Sequence, residues 1–180
     1  MTTAQGTPIK RNPVGTEYTK RITASTGYKF LTHPTDAYIQ ASGYSLQEAL
    51  RYSGQALSDI LRARRQKPLL TTEEGKDHFG WLDIAIVKEK ITFQGTDEIS
   101  LLRDWLEKVF AKSELENTVC SDFNIYQIKM EGKMLRGEAE VSGMREKKLI
   151  ARTEVKAPTY PRLEVAREKR QVHVRFVIDL

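Results

Sequence analysis

Cysteine is nearly missing from this chain: 180 residues contain one, Cys120, alongside three histidines. A lone thiol cannot close an internal disulfide, and a structural zinc site built on thiolates is excluded with it. Long apolar runs are missing too. None approaches the roughly 20 residues needed to cross a bilayer, and the N-terminus lacks the apolar stretch of a secretory signal. The expectation is a protein with no membrane partner in a reducing, cytoplasmic interior, with nuclear or organellar destinations left open. The common catalytic signatures are also absent. There is no GxGxxG, no HExxH and no GxSxG. Gly132-Lys133 is not a phosphate-binding loop, because Gln127 stands where its first glycine belongs and Met134 replaces the hydroxyl that would hold magnesium. Three histidines among ordinary serines do not make a triad. The chain is therefore expected not to be an enzyme, and the missing base–nucleophile pair argues against a metal-dependent hydrolase.

Charge of one sign is scarcer than the total suggests. The net charge is +5, but residues 1–27 carry four basic residues against one acidic. Residues 28–180 hold 25 basic against 23 acidic, so the folded part is close to neutral. That speaks against a surface built to grip RNA. The first 27 residues are rich in Thr, Gly and Pro without periodicity, and read as a flexible tail. Their prolines spoil the amphipathic helix of an organelle transit peptide. The remainder, 28–180, is long enough for one domain with a real core.

What is present is a clear order of elements. Tyr28–Leu31 reads as a short strand broken by HPTD at 33–36, and AYIQAS alternates Ala37, Ile39 and Ala41 against Tyr38, Gln40 and Ser42. Ser45 with Glu48 three residues on predicts a capping box. From there Leu46, Ala49, Leu50, Ser53, Leu57, Ile60 and Leu61 share one helical face. Arg62, Arg64, Arg65 and Lys67 collect where that helix ends, which suits its dipole, and Pro68 stops it. Residues 69–79 read as a loop. A β-branched strand over 81–93 follows. Asp97 and Glu98 then open a second helix whose stripe is Leu101, Leu102, Trp105, Leu106, Val109 and Phe110, with Trp105 a core position. The rest reads as strands at about 121–130, 134–142, 150–156, 161–166 and 171–178, with Gly132-Lys133 as a turn. The predicted class is α+β: two helices packed on largely antiparallel sheet in a single domain.

The last strand ends in Asp179. Val172, Val174, Phe176 and Ile178 share one face, and His173, Arg175, Val177 and Asp179 the other. A carboxylate at the end of a buried strand must be solvated, paired or bound to a cation. Asp36, just after the proline of HPTD, is the other carboxylate in an unusual place.

Four blocks taken together resemble the archease family, small activators of the RtcB-type tRNA-splicing RNA ligase. YKFLTHPTDAYIQASGYSLQEAL resembles its opening block, an aromatic strand leading to a His-x-x-Asp turn, a second strand and a helix. DEISLLRDWLEKVF is similar to its acidic-start helix, RTEVKAPTYPRLEV to its Lys-Ala-x-Thr-Tyr segment, and VRFVIDL to its Asp-ending terminus. The blocks span 28–180 in the family's order. The turn is HPTD where the family usually has HTAD, Pro161 follows the Thr-Tyr pair where many members have His, and Tyr38 replaces a glycine.

The resemblance implies an activator that promotes guanylylation and multiple turnover of the ligase, reaching tRNA only through it. It also implies a divalent metal held by Asp36, Asp179 and an oxygen of Leu180, with Ca²⁺ first and Mg²⁺ or Mn²⁺ as alternatives. Lys156 carries over as a contact to a partner or phosphate, and His33 as an accessory residue. The second reading is an RNA-binding or chaperone-like module that assists tRNA-modifying enzymes.

Overall fold

The structure, a computed structural model, describes residues 26–31, 37–65, 84–146 and 162–178. The order is β1 (Gly27–Leu31), β2 (Ala37–Gly43), α1 (Leu46–Arg65), β3 (Ile84–Gly95), α2 (Glu98–Glu114), β4 (Thr118–Glu131), β5 (Met134–Glu146), β6 (Glu164–Glu168) and β7 (Gln171–Ile178). The α+β expectation holds, and the strands divide into two antiparallel sheets. One is four-stranded in the order β1-β2-β7-β6, the other three-stranded in the order β3-β5-β4. Among the described residues no helix is long and apolar enough to cross a membrane. Residues 1–25 of the tail expected over 1–27, the loop 69–79 and the strand expected at 150–156 lie outside the described residues, while Gly27 opens β1.

Both helices start where their caps dictate. The Glu48 N–H donates to Ser45 Oγ at 3.2 Å, as the box requires, while the Glu48 carboxylate accepts from the N–H of Tyr44, one residue beyond the predicted partner, at 2.7 Å. In α2 the cap is Asp97 itself, not a first-turn residue. Its carboxylate accepts from the Ser100 N–H at 2.7 Å, and Ser100 Oγ accepts from the Asp97 N–H at 3.0 Å. The predicted α1 face is buried throughout, and so is the α2 stripe from Leu101 to Val109. Phe110, at the end of that stripe, is partly buried against the core.

The core closes around Trp105, which is fully buried. Its indole N–H donates to the Leu50 carbonyl of α1 at 2.8 Å. Its ring lies 4.9 Å from that of Phe93 on β3 and 5.7 Å from that of Phe123 on β4, the second edge-on. Gly137 on β5 makes room for this cluster, since a Cβ there would stand 2.2 Å from the Phe93 ring. The predicted turn at Gly132 is present, with φ of 62° supplying the left-handed step between β4 and β5.

Where strands differ from expectation, the reasons are local. β4 starts three residues earlier than predicted, at Thr118, and carries bulges between Cys120 and Asp122 and between Ile125 and Gln127. Each bulge resets the alternation on which a period-two reading depends. The strand expected at 161–166 is found at Glu164–Glu168, followed by a tight turn in which Lys169 takes a φ of 54°.

The C-terminal end of α2 is tied to the three-stranded sheet by charge. Lys112 bonds Glu89 of β3 and, at 2.9 Å, Glu116, while Arg145 of β5 bonds Glu89 at 2.8 Å and also reaches Glu116. Burial lowers the Lys112 pKa, but its bonds to Glu89 and Glu116 outweigh that and hold it above the ordinary lysine value. The bond from Lys112, assisted by Arg145, holds Glu89 below the usual carboxylate range. A depressed folded-state pKa adds stability that is present above the unfolded value and lost as pH falls through the folded one. The melting temperature is therefore expected to fall on acidification below pH 4.5, the ordinary Glu value, partly through Glu89. Glu89→Gln should melt lower at neutral pH and lose less on acidification than the parent. Parallel melting-versus-pH curves for the two proteins would show that the network adds nothing.

Candidate functional site

The four-stranded sheet joins the beginning of the described chain to its end. β2 and β7 run antiparallel through seven Cα pairs, from Ala37 with Ile178 to Gly43 with Val172. Ile39, Ala41, Val172, Val174, Phe176 and Ile178 turn inward and are buried, so the apolar set of each strand fixes the register: a one-residue slip would carry it out of the core.

The opposite face carries a polar ladder across three strands. Arg175 of β7 donates through Nε to Gln40 Oε1 of β2 at 2.8 Å and through Nη1 to Glu164 of β6 at 2.9 Å. Two residues along, Ser42 Oγ and His173 Nδ1 lie 2.7 Å apart, the direction of the bond depending on the tautomer. His173 Nε2 stands 3.9 Å from Glu168, which is also 3.9 Å from Arg175. His173, one of the three histidines and placed by alternation on the face opposite Val172 and Val174, is a buried strand residue, 8% exposed. The planar Arg175 fork locks three strands to one another, three residues from the end of the β2–β7 ladder.

That end matters because of what adjoins it in the sequence. Asp36 precedes Ala37, and Asp179 and Leu180 follow Ile178. Asp36, Asp179, Leu180, Lys156 and His33 all lie outside the described residues. Among the described residues no group of three or more His, Cys, Asp or Glu is placed to hold a metal. The condition on which a site shared by Asp36 and Asp179 rests, that the first hairpin and the last strand be neighbours, is met. Sequence reasoning did not single out Gln40, Ser42, Arg175 or Glu164. Period two put Gln40 with Ser42 and His173 with Arg175, but the register that pairs those sets is a property of the fold.

An α+β protein of two helices and two antiparallel sheets, with its first hairpin paired to its last strand, is the class that these observations define. The model of the Archease protein family matches residues 28–180, and the chain belongs to that family. Protein archease of Methanopyrus kandleri is 35% identical over 92 residues, 51% of this chain and 66% of that protein. The match to that relative thus spans just under two thirds of its length. Protein archease of Sulfolobus acidocaldarius is 25% identical over 155 residues, 86% of this chain and 99% of that protein. The solution structure of Methanobacterium thermoautotrophicum protein 1598 superposes with a TM-score of 0.63 at 22% identity, covering 86% of this chain and 99% of that one, a likeness of fold.

If the Arg175–Gln40 bond locks the register, Gln40→Ala and Arg175→Ala will not be additive. Urea unfolding of both single variants and the double variant should give a coupling energy of about 0.5–3 kcal/mol, the range for directly bonded partners. Losses that simply sum would remove the lock.

Proposed function

We propose that this chain activates an RtcB-type RNA ligase, promoting its guanylylation and multiple turnover and meeting tRNA only through that partner. The observation that carries the reading is the pairing of Ala37 with Ile178. Asp36 and Asp179 are each one residue from a member of that pair, about 3.8 Å of chain. A site shared by these two carboxylates, 143 positions apart in the sequence, requires the strand pairing that is observed, and that pairing supports the reading. Membership of the archease family supports the same reading.

The donor set of Asp36, Asp179 and an oxygen of Leu180 is made entirely of hard oxygens, which suits Ca²⁺, and after it Mg²⁺ or Mn²⁺. A divalent cation would neutralise both carboxylates and hold the ends of β2 and β7 together. His33, three residues before Asp36 in the sequence, is an accessory residue of the same site. Lys156 is the partner contact, since an ammonium on a long side chain suits a phosphate or carboxylate. The ligase is met in the cytoplasm.

A guanylylation assay on a cognate ligase should run faster, and through many turnovers, with substoichiometric amounts of this protein. Lys156→Ala should keep the parent's melting temperature and lose that acceleration. An unchanged ligase rate at excess protein would refute the activator role, and a fully active Lys156→Ala would remove Lys156 from the contact.

The metal has its own test, independent of the ligase. Calcium, magnesium or manganese should raise the melting temperature in a concentration-dependent way, by the equivalent of about 2.7 kcal/mol at a hundred times the dissociation constant. Asp36→Asn and Asp179→Asn should each abolish most of that rise, and the double variant should lose little more, because residues sharing one ion act as a unit. Independent, additive losses would mean that they do not share an ion.

A further inference from the structure

At the other end of the β1–β2 hairpin from Ala37, a groove of about 320 Å³ opens over α1, between the starts of β1 and β4. Its apolar wall is Val119, Phe123 and Met144, of which Val119 and Met144 are cross-strand partners. Facing them from α1 are Tyr52, Asp59 and Arg62. Asp59 is half-buried and accepts a hydrogen bond from the Tyr28 hydroxyl. Burial, and then the bond and charge of Asp59, hold that hydroxyl well above its ordinary range, so Tyr28 stays a donor to Asp59. Arg62 is exposed at the mouth.

Asp59 and Arg62 sit three residues apart on α1, the spacing at which helical side chains are neighbours. Among the described residues neither has an ion-pair partner, and they do not pair with each other. Within α2, Arg103 and Glu107 do pair at that kind of spacing, whereas Glu48 and Arg51 of α1 each take other partners. The groove thus presents an anion, a cation one turn away and an apolar wall opposite both. A ligand that satisfies all three carries a cation and an anion close together and an apolar side group. A single-charge ligand would engage only one of the two protein charges.

We propose that this groove binds a small zwitterion with an apolar side group, the chemistry of a free hydrophobic α-amino acid, its ammonium toward Asp59 and its carboxylate toward Arg62. The volume agrees: ligand pockets run from roughly 300 to 1,000 Å³, and this one lies at the lower limit, the size of a small metabolite. The proposal is independent of the ligase and of the metal, since it uses other residues at the other end of the sheet.

The experiment is titration calorimetry on the full chain with three probes of one carbon skeleton: L-leucine, L-leucinamide, which keeps only the cation, and 4-methylpentanoate, which keeps only the anion. L-leucine should bind, and each single-charge probe should bind at least about tenfold more weakly, as expected for loss of a charge-assisted bond. Asp59→Asn and Arg62→Gln should each weaken L-leucine by a similar factor. Arg62 is exposed and makes no bond within the described fold, so Arg62→Gln keeps the test clean if Asp59→Asn disturbs Tyr28. No heat of binding for L-leucine up to its solubility limit would overturn the proposal. So would equal binding of L-leucine and L-leucinamide, or an Arg62→Gln protein that binds L-leucine as the parent does.

Discussion

Trp105 donating to the Leu50 carbonyl is the contact on which the architecture turns. The two sheets have no strand in common, so what lies between them must hold them in place. α1 packs on β1, β2 and β7 of one sheet and on β4 of the other, while α2 packs on β3, β4, β5 and β6. The indole stands where these layers meet, bonded to α1, carried by α2, and flanked by Phe93 and Phe123 from two strands of the smaller sheet. A buried Trp of this kind contributes about 3–5 kcal/mol relative to alanine. Its N–H must also find a partner away from water, so the same side chain sets both the spacing and the rotation of the helices. The α2 position that results brings Lys112 to Glu89 and Glu98 to Arg167, which secure the two ends of that helix to opposite sheets.

The helices were the most legible part of the sequence. Leu46 to Leu61 and Leu101 to Val109 keep helical spacing without interruption and are buried, with Phe110 at the end of its face partly so. The strands were legible as strands but not as sheets. Alternation names the faces of β2 and β7 because neither is interrupted, but it fails in β4, where bulges at Cys120 and Ile125 reset the phase. The division into two sheets depends on pairings between residues more than a hundred positions apart, such as Ile39 with Phe176, and no local pattern encodes them. Asp36 and Asp179 drew notice as carboxylates in unusual places, but the ligand set with Leu180, Lys156 and His33 came from the likeness of whole blocks to a family. The Gln40–Arg175–Glu164 ladder and the groove at Asp59 were not legible at all, since each is assembled from separate elements.

The two faces of the four-stranded sheet divide the work between them. The inner face is wholly apolar along β7 and fixes the register by exclusion of water. The outer face makes that register specific, because Arg175 bonds Gln40 and Glu164 on the two flanking strands and Ser42 bonds His173 across β2 and β7. Apolar packing alone tolerates small slides; a guanidinium bonded to two strands does not. Metal ligands at the end of such a ladder would inherit its rigidity, an arrangement that favours preorganised sites on strands over sites on free loops.

The place of β7 in its sheet also has a consequence for synthesis. It lies between β2 and β6, yet it is the last strand described. A chain leaving the ribosome has its β1–β2 hairpin and α1 long before residues 171–178 emerge. Until then Ile39 and Ala41 lack the strand that completes their sheet. Vectorial folding can finish the three-stranded sheet of β3, β5 and β4 beside α2 during translation. The larger sheet must wait, with one edge open to chaperones or to misplaced strands, until β7 is clear of the exit tunnel.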